Sequence, residues 1–169
     1  MIISLTELYQ IPGKTLTTKA PFEMADVLGY PVVKASPVSI SIRHEKDRQL
    51  SLEGKAEVTL AIPCARCLKP VKTGLSVSIS RMVNGQDYTD EEGDEVTFLE
   101  GDRLDLDRLT EECLLEEIPI RVLCKEDCKG LCPVCGKDLN EGPCGCEQEE
   151  APTRMGAALL KAFQDAQKK

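Results

Sequence analysis

Eight of the nine cysteines in this chain fall into closely spaced pairs, Cys64/Cys67, Cys124/Cys128, Cys132/Cys135 and Cys144/Cys146. Each pair can act as one knuckle offering two soft sulfurs, and two knuckles complete the tetrahedral shell that a structural zinc ion takes. The count therefore allows one or two closed sites, with Cys113 left over. A closed site has no coordination position for substrate, so the metal this pattern implies is structural and not catalytic.

Disulfides are the main rival use for the same residues. They need an oxidising compartment, and export needs a basic start followed by an apolar run. The opening MIISLTELYQIPGK has neither, and no stretch approaches the length of a membrane span. Metal binding in the cytoplasm is the expectation that follows.

The clearest regular structure lies between residues 50 and 83. Apolar side chains occupy even positions through LSLEGKAEVTLAIP (Leu50, Leu52, Ala56, Val58, Leu60, Ile62) and odd ones through VKTGLSVSISRMV (Val71, Leu75, Val77, Ile79, Val83). Such alternation predicts two half-buried antiparallel strands. PCARCLKP lies between them, which places Cys64 and Cys67 at a hairpin tip bracketed by Pro63 and Pro70. PVSISI at 37–42 predicts a third strand and VTFLE from Val96 a short fourth. With Trp absent, the core must rest on aliphatic side chains.

Residues 1–36 are less legible. SLTELYQIPGK reads as a strand or one helical turn before Pro12-Gly13, and PFEMADVLGYP as two or three helical turns at best. DYTDEEGDEVTFLEGD is a solvated acidic loop around the short strand. DLDRLTEECLLEEI predicts a helix capped by Asp105, with Leu106, Leu109 and Cys113 along one face and Pro119 ending it. Cys113 then reads as a buried small hydrophobe. IPIRVL is an extended run into Cys124.

The expected fold is α+β, a small antiparallel sheet or open barrel with a helix and a cysteine-rich zinc-binding tail. Residues 1–123 would form the body, with a basic hairpin at 50–83 and an acidic loop and helix at 87–117. Residues 124–147 would form a zinc-knuckle module, and 148–169 a helical or flexible tail.

Charge is unevenly placed. Residues 1–86 carry a net charge of +4 and residues 87–169 a net charge of −12, within an overall −8. Val58–Gln86 holds no acidic residue but contains Arg66, Lys69, Lys72 and Arg81. These four are the candidate contacts for RNA phosphate, set against their reading as an ordinary cationic surface.

Cys-Pro-Val-Cys-Gly at 132–136 has the form of a zinc knuckle, its glycine letting the backbone turn so that amide N–H groups point at the thiolates. Two pairings are open. In one, Cys132, Cys135, Cys144 and Cys146 share a local metal while Cys124 and Cys128 meet Cys64 and Cys67. In the other, Cys124, Cys128, Cys132 and Cys135 share one metal and two pairs stay unmatched. The first is favoured because it leaves no paired thiol idle. Iron is the competing metal, but the second half of a rubredoxin-like site is missing.

CARCLKP at Cys64, DLDRLTEECLLEEIPIRVLC and CKGLCPVCGKDLNEGPCGC together resemble the YceD family, the large ribosomal RNA subunit accumulation proteins, over about residues 50–147. The resemblance implies a non-enzymatic factor of bacteria and plastids, needed for accumulation or processing of 23S-type ribosomal RNA. It matches Cys64 and Cys67 to the family's first motif and Cys124, Cys128, Cys132, Cys135, Cys144 and Cys146 to its cysteine-rich tail. The tail cysteines occur in part of the family, which separates its core role from the second metal. The implied partners are ribosomal RNA or a pre-large-subunit particle. The acidic C-terminal half also fits a basic ribosomal protein.

Two other classes stand beside this reading. A redox-regulated zinc chaperone or sensor would use Cys144/Cys146 with Cys132/Cys135 and release metal on oxidation. An enzyme has the least support, since His44 sits in the charged run RHEKDR, read as a solvated turn, and neither a catalytic triad nor a phosphate-cradling glycine loop is evident.

Overall fold

The two-residue period of residues 50–83 becomes one long hairpin in the computed structural model, which describes residues 1–146 and separates a unit of Met1–Cys128 from one beginning at Lys129. In chain order the first unit contains β1 (Ile2–Ser4), α1 (Thr6–Tyr9), β2 (Thr15–Ala20), β3 (Asp26–Val27), β4 (Tyr30–Ala35), β5 (Val38–His44) and β6 (Gln49–Pro63). These are followed by β7 (Pro70–Asn84), β8 (Thr89–Asp90), β9 (Leu99–Glu100), β10 (Arg103–Asp105) and α2 (Leu106–Glu117). The expected tail at 148–169 lies outside the described residues.

The body is mostly antiparallel sheet with two helices, and its strand order does not mark it as a barrel. A seven-stranded sheet runs β2-β5-β6-β4-β3, with β7 on the other edge of β6 and β8 on β7. A second, three-stranded sheet has the order β1-β10-β9. Strand β6 is shared along its length: β7 pairs with it from Gln49 to Pro63, while the opposite edge is taken by β5 over Leu50–Lys55 and by β4 over Val58–Leu60. At Gly54 the neighbouring backbone comes so close that a Cβ would stand 2.6 Å from the Ser39 carbonyl oxygen. Only glycine fits a contact that tight.

The expected parity holds. Leu50, Leu52, Val58, Leu60 and Ile62 are buried from β6, and Val77, Ile79 and Val83 from β7. Against this layer α2 packs Leu106, Leu109, Cys113 and Leu114, all buried. Each such aliphatic side chain withdrawn from water contributes roughly 1.5–3 kcal/mol. Asp105 caps α2 by accepting from the Asp107 and Arg108 backbone N–H groups at 3.1 and 3.5 Å. The helix ends with Ile118 extended at φ −68°, ψ 119°, as the residue before Pro119 must be.

Several local expectations change. PFEMADVLGYP forms no helix: β3 and β4 make a hairpin whose turn residues Leu28 and Gly29 both have positive φ, 52° and 77°. SLTELY contains both alternatives in sequence, the end of β1 and then the single turn α1. Of VTFLE, only Leu99–Glu100 is strand, and it joins the smaller sheet. His44 is buried at the end of β5, with Nδ1 3.4 Å from the Ile11 carbonyl and its ring edge-on to Tyr9. It follows Val38, Ile40 and Ile42 on the even, inward parity.

Candidate metal centres

The hairpin tip is folded by its own backbone before any sulfur is considered. Between the two prolines the Cys64 N–H donates to the Lys69 carbonyl at 2.8 Å and the Leu68 N–H to the Cys64 carbonyl at 3.0 Å, closing a tight knuckle. Leu68 has φ +60°, a left-handed conformation that costs an L residue roughly 1–2 kcal/mol. Residues after α2 are then brought to the tip by polar contacts: the Ala65 N–H donates to the Val122 carbonyl at 2.8 Å, and Arg66 Nη1 donates to the Cys128 carbonyl at 2.7 Å. Cys64 Sγ lies 3.8 Å from Cys128 Sγ, and Cys67 Sγ lies 3.6 Å from Cys124 Sγ. Cys64, Cys67 and Cys128 are buried, while Cys124 is exposed.

The second unit repeats the knuckle. The Cys132 N–H donates to the Lys137 carbonyl at 2.8 Å and the Gly136 N–H to the Cys132 carbonyl at 2.9 Å, with Gly136 at φ +73°. Position for position, Leu68 stands where the second knuckle has Gly136. Asp138 and Asn140 set the loop beyond it, the Asn140 N–H donating to Asp138 Oδ1 at 2.8 Å and Asn140 Oδ1 accepting from the Lys129 N–H at 2.9 Å. This folds Cys144 and Cys146 back onto Cys132 and Cys135.

Among the described residues, two groups of four could hold a metal ion: Cys64, Cys67, Cys124 and Cys128 in the first unit, and Cys132, Cys135, Cys144 and Cys146 in the second. In each group the four sulfurs lie within 4.8 Å of one another. A tetrahedron with metal–sulfur bonds of about 2.3 Å has sulfur–sulfur edges of about 3.8 Å. The first group's spacings, 3.8 and 3.6 Å, match that edge and far exceed a disulfide's ~2.05 Å.

The electrostatics of the donors point the same way. Backbone N–H groups of Cys67 and Arg66 bring Cys64 down to about 6, and those of Cys135 and Val134 bring Cys132 down to about 6. Crowding has the opposite effect on their partners. Cys124 is pushed up to about 12, chiefly by Cys128, and Cys146 to about 12, chiefly by Cys135. One thiolate per group is stabilised, while Cys124 in the first and Cys146 in the second resist ionising beside it, a conflict that a divalent cation would remove. With four sulfurs in each group, either could complete a tetrahedral shell around a metal ion, which would leave no coordination position for substrate.

Cys113 belongs to neither group. It faces the core from α2, where burial holds its thiol above the ordinary value. The four cations expected of the hairpin are dispersed. Arg66 is exposed but spends donors on the Cys128 and Glu126 carbonyls. Lys69 and Lys72 are exposed at and beside the tip. Arg81, on the inward parity of β7 and at its far end, forms an ion pair with Glu116 of α2. The role of Arg66 as a backbone staple has no signature in spacing or composition.

With this geometry in place, comparison with known proteins gives the class. The chain matches the family described as large ribosomal RNA subunit accumulation protein YceD over residues 52–163, a span that includes every cysteine of both groups. It belongs to the YceD family. It is similar to an uncharacterized protein of Mycobacterium tuberculosis, 31% identical over 156 residues, covering 85% of this chain and 72% of the relative. The uncharacterized protein YlbN of Bacillus subtilis is 27% identical, covering 80% of this chain and 81% of the relative. The chloroplastic large ribosomal RNA subunit accumulation protein YCED homolog 1 of Arabidopsis thaliana is 24% identical, with 78% of this chain aligned to 50% of that protein. No solved structure matches the chain. No helix among the described residues is long and apolar enough to cross a membrane.

Proposed function

We propose that this protein is a non-enzymatic factor for accumulation of large-subunit ribosomal RNA, acting in the bacterial cytoplasm, with two structural zinc ions held by its eight paired cysteines. The observation that carries this reading is the YceD match, in the family described by that role, across residues 52–163. Two closed groups of four thiols support zinc as a staple for segments with little core of their own. Contact with ribosomal RNA or a pre-large-subunit particle would begin at the hairpin tip, through Arg66, Lys69 and Lys72, while Arg81 acts mainly through its pair with Glu116. A basic ribosomal protein meeting the acidic C-terminal half is the other route into the same particle.

Depletion in the source organism, followed by measurement of 23S precursor and large-subunit levels, tests the assignment. Loss of mature 23S RNA and of large subunits is expected. An unchanged ribosome profile overturns it.

A further inference from the structure

The strand parity that buries one face of the seven-stranded sheet turns the other face outward, and its charge is ordered. Lys19 of β2 is paired with Ser39 of β5, Ser39 with Lys55 of β6, and Lys55 with Ser78 of β7. These residues form one row across four adjacent strands. At about 4.8 Å per strand, the Lys19 and Lys55 backbones stand roughly 10 Å apart with a serine between them. The row crosses a groove of about 540 Å³ lined in part by Lys19, Ser39, Lys55, Ser76 and Ser78, and also by Glu57. Lys34, opposite Thr59, and Lys72, opposite Ala61, extend the cations along the same face.

Two features point to the occupant. The first is charge. Lys19, Lys34, Lys55 and Lys72 are exposed and make no ion pair among the described residues, in a chain whose net charge is −8. Glu53 and Glu57 are the acidic residues standing on β6 among them, so the face is cationic on balance. The second is side-chain type. The positions between the lysines are mainly serine and threonine, whose short hydroxyls leave the ammonium groups prominent and bond readily to phosphate and sugar oxygens. No aromatic side chain stands on the outward positions of β2, β5, β6 or β7, so bases have nothing to stack on.

We infer that the outward face of the seven-stranded sheet, centred on Lys19 and Lys55, is a docking surface for the ribose-phosphate backbone of RNA, engaged without regard to base sequence. The inference rests on the ribosomal RNA reading above and gives it a broad surface centred away from the hairpin tip and reaching it at Lys72. It is also invisible in the local charge of the sequence, because the lysines come from four separate strands.

The test uses the full chain with its metal, a labelled mixed-sequence RNA duplex of about 16 base pairs and fluorescence anisotropy over a salt series. Lys19→Gln/Lys55→Gln should weaken binding and make the slope of log affinity against log salt shallower by about 2, at roughly 0.9 per lost cation contact. Glu53→Gln/Glu57→Gln should tighten it, and Lys46→Gln, in the β5–β6 turn, should leave it unchanged. A duplex of different sequence should bind equally. Wild-type affinity and slope in the lysine variant, or strong base preference, overturns the inference. So does a wild-type protein that binds no RNA while cells depleted of it still lose large subunits; that result leaves the biogenesis reading intact through a protein contact. Conversely, salt-sensitive binding that the lysine variant loses, together with an unchanged ribosome profile on depletion, supports the surface and sinks the biogenesis reading.

Discussion

Removing the sulfurs of the hairpin tip should cost the body far more stability than two side chains account for. Cys67 and Cys124 are 57 residues apart in the chain, yet their sulfurs sit 3.6 Å apart in the folded body. An unfolded chain must close that loop to bind the same ion, and the chain-entropy relation puts the closure at about 4 kcal/mol. With zinc as the proposed ion, an excess of it would bind both states, and this difference in affinity would become folding stability. Wild type in excess zinc should therefore exceed Cys64→Ser/Cys67→Ser by about 4 kcal/mol, or about 2 M in the urea midpoint for a typical slope. The chain has no Trp, so far-UV circular dichroism is the suitable probe. A chelator arm separates metal from substitution, and with metal removed the gap should fall to roughly 1 kcal/mol, an ordinary effect for a point change. Cys132→Ser/Cys135→Ser should leave the body's midpoint in place, because its core lies wholly within the first unit. Equal midpoints for wild type and the tip variant in excess zinc, or a tail variant that lowers the body equally, would refute the reasoning.

Two smaller perturbations test the fold and the knuckles. Gly54→Ala would force a Cβ to within 2.6 Å of the Ser39 carbonyl and should destabilise the body by about 1–3 kcal/mol in the same urea assay. Gly136→Ala meets no neighbouring atom, so its effect is backbone strain alone: about 1 kcal/mol, read as a roughly fivefold loss of zinc affinity in the second group by chelator competition. Leu68→Gly should not weaken the first group, since Leu68 already carries that strain.

What was legible followed from periods and spacings. The hairpin parity, the Asp105 cap and the stop before Pro119 rest on local rules that tertiary context did not override, whereas spacing gave four cysteine pairs and left open which two share a group, because Cys64 and Cys67 meet Cys124 and Cys128 only through the fold. The N-terminal third was harder. TLTTKA places threonine on both faces of β2, and its inward Leu16 and Thr18 are only half-buried, so no clean period exists to read. The β3–β4 turn uses Leu28 at positive φ, a choice no turn preference anticipates. Arg81 was misleading for a different reason: a cation on the inward parity looks like part of a basic stretch until α2 supplies Glu116. His44 could have been placed, had the alternation of Val38, Ile40 and Ile42 been continued one step past the hydrophobic residues.

The unbroken pairing of β6 with β7, from Gln49 opposite Asn84 to Pro63 opposite Pro70, has a mechanical consequence. Fifteen rungs without a register shift make a strut of about 45–50 Å, long for a body of this size. At one end of it lies the sulfur-bound tip, and at the other the helix that packs on Arg81 and Val83. The paired strands hold the two ends apart, so a partner that touched both would have to span nearly the full length of that strut. It sets a reach, much as a calliper does, and shortening both strands by a matched pair of residues would change that reach while leaving each end's own chemistry intact.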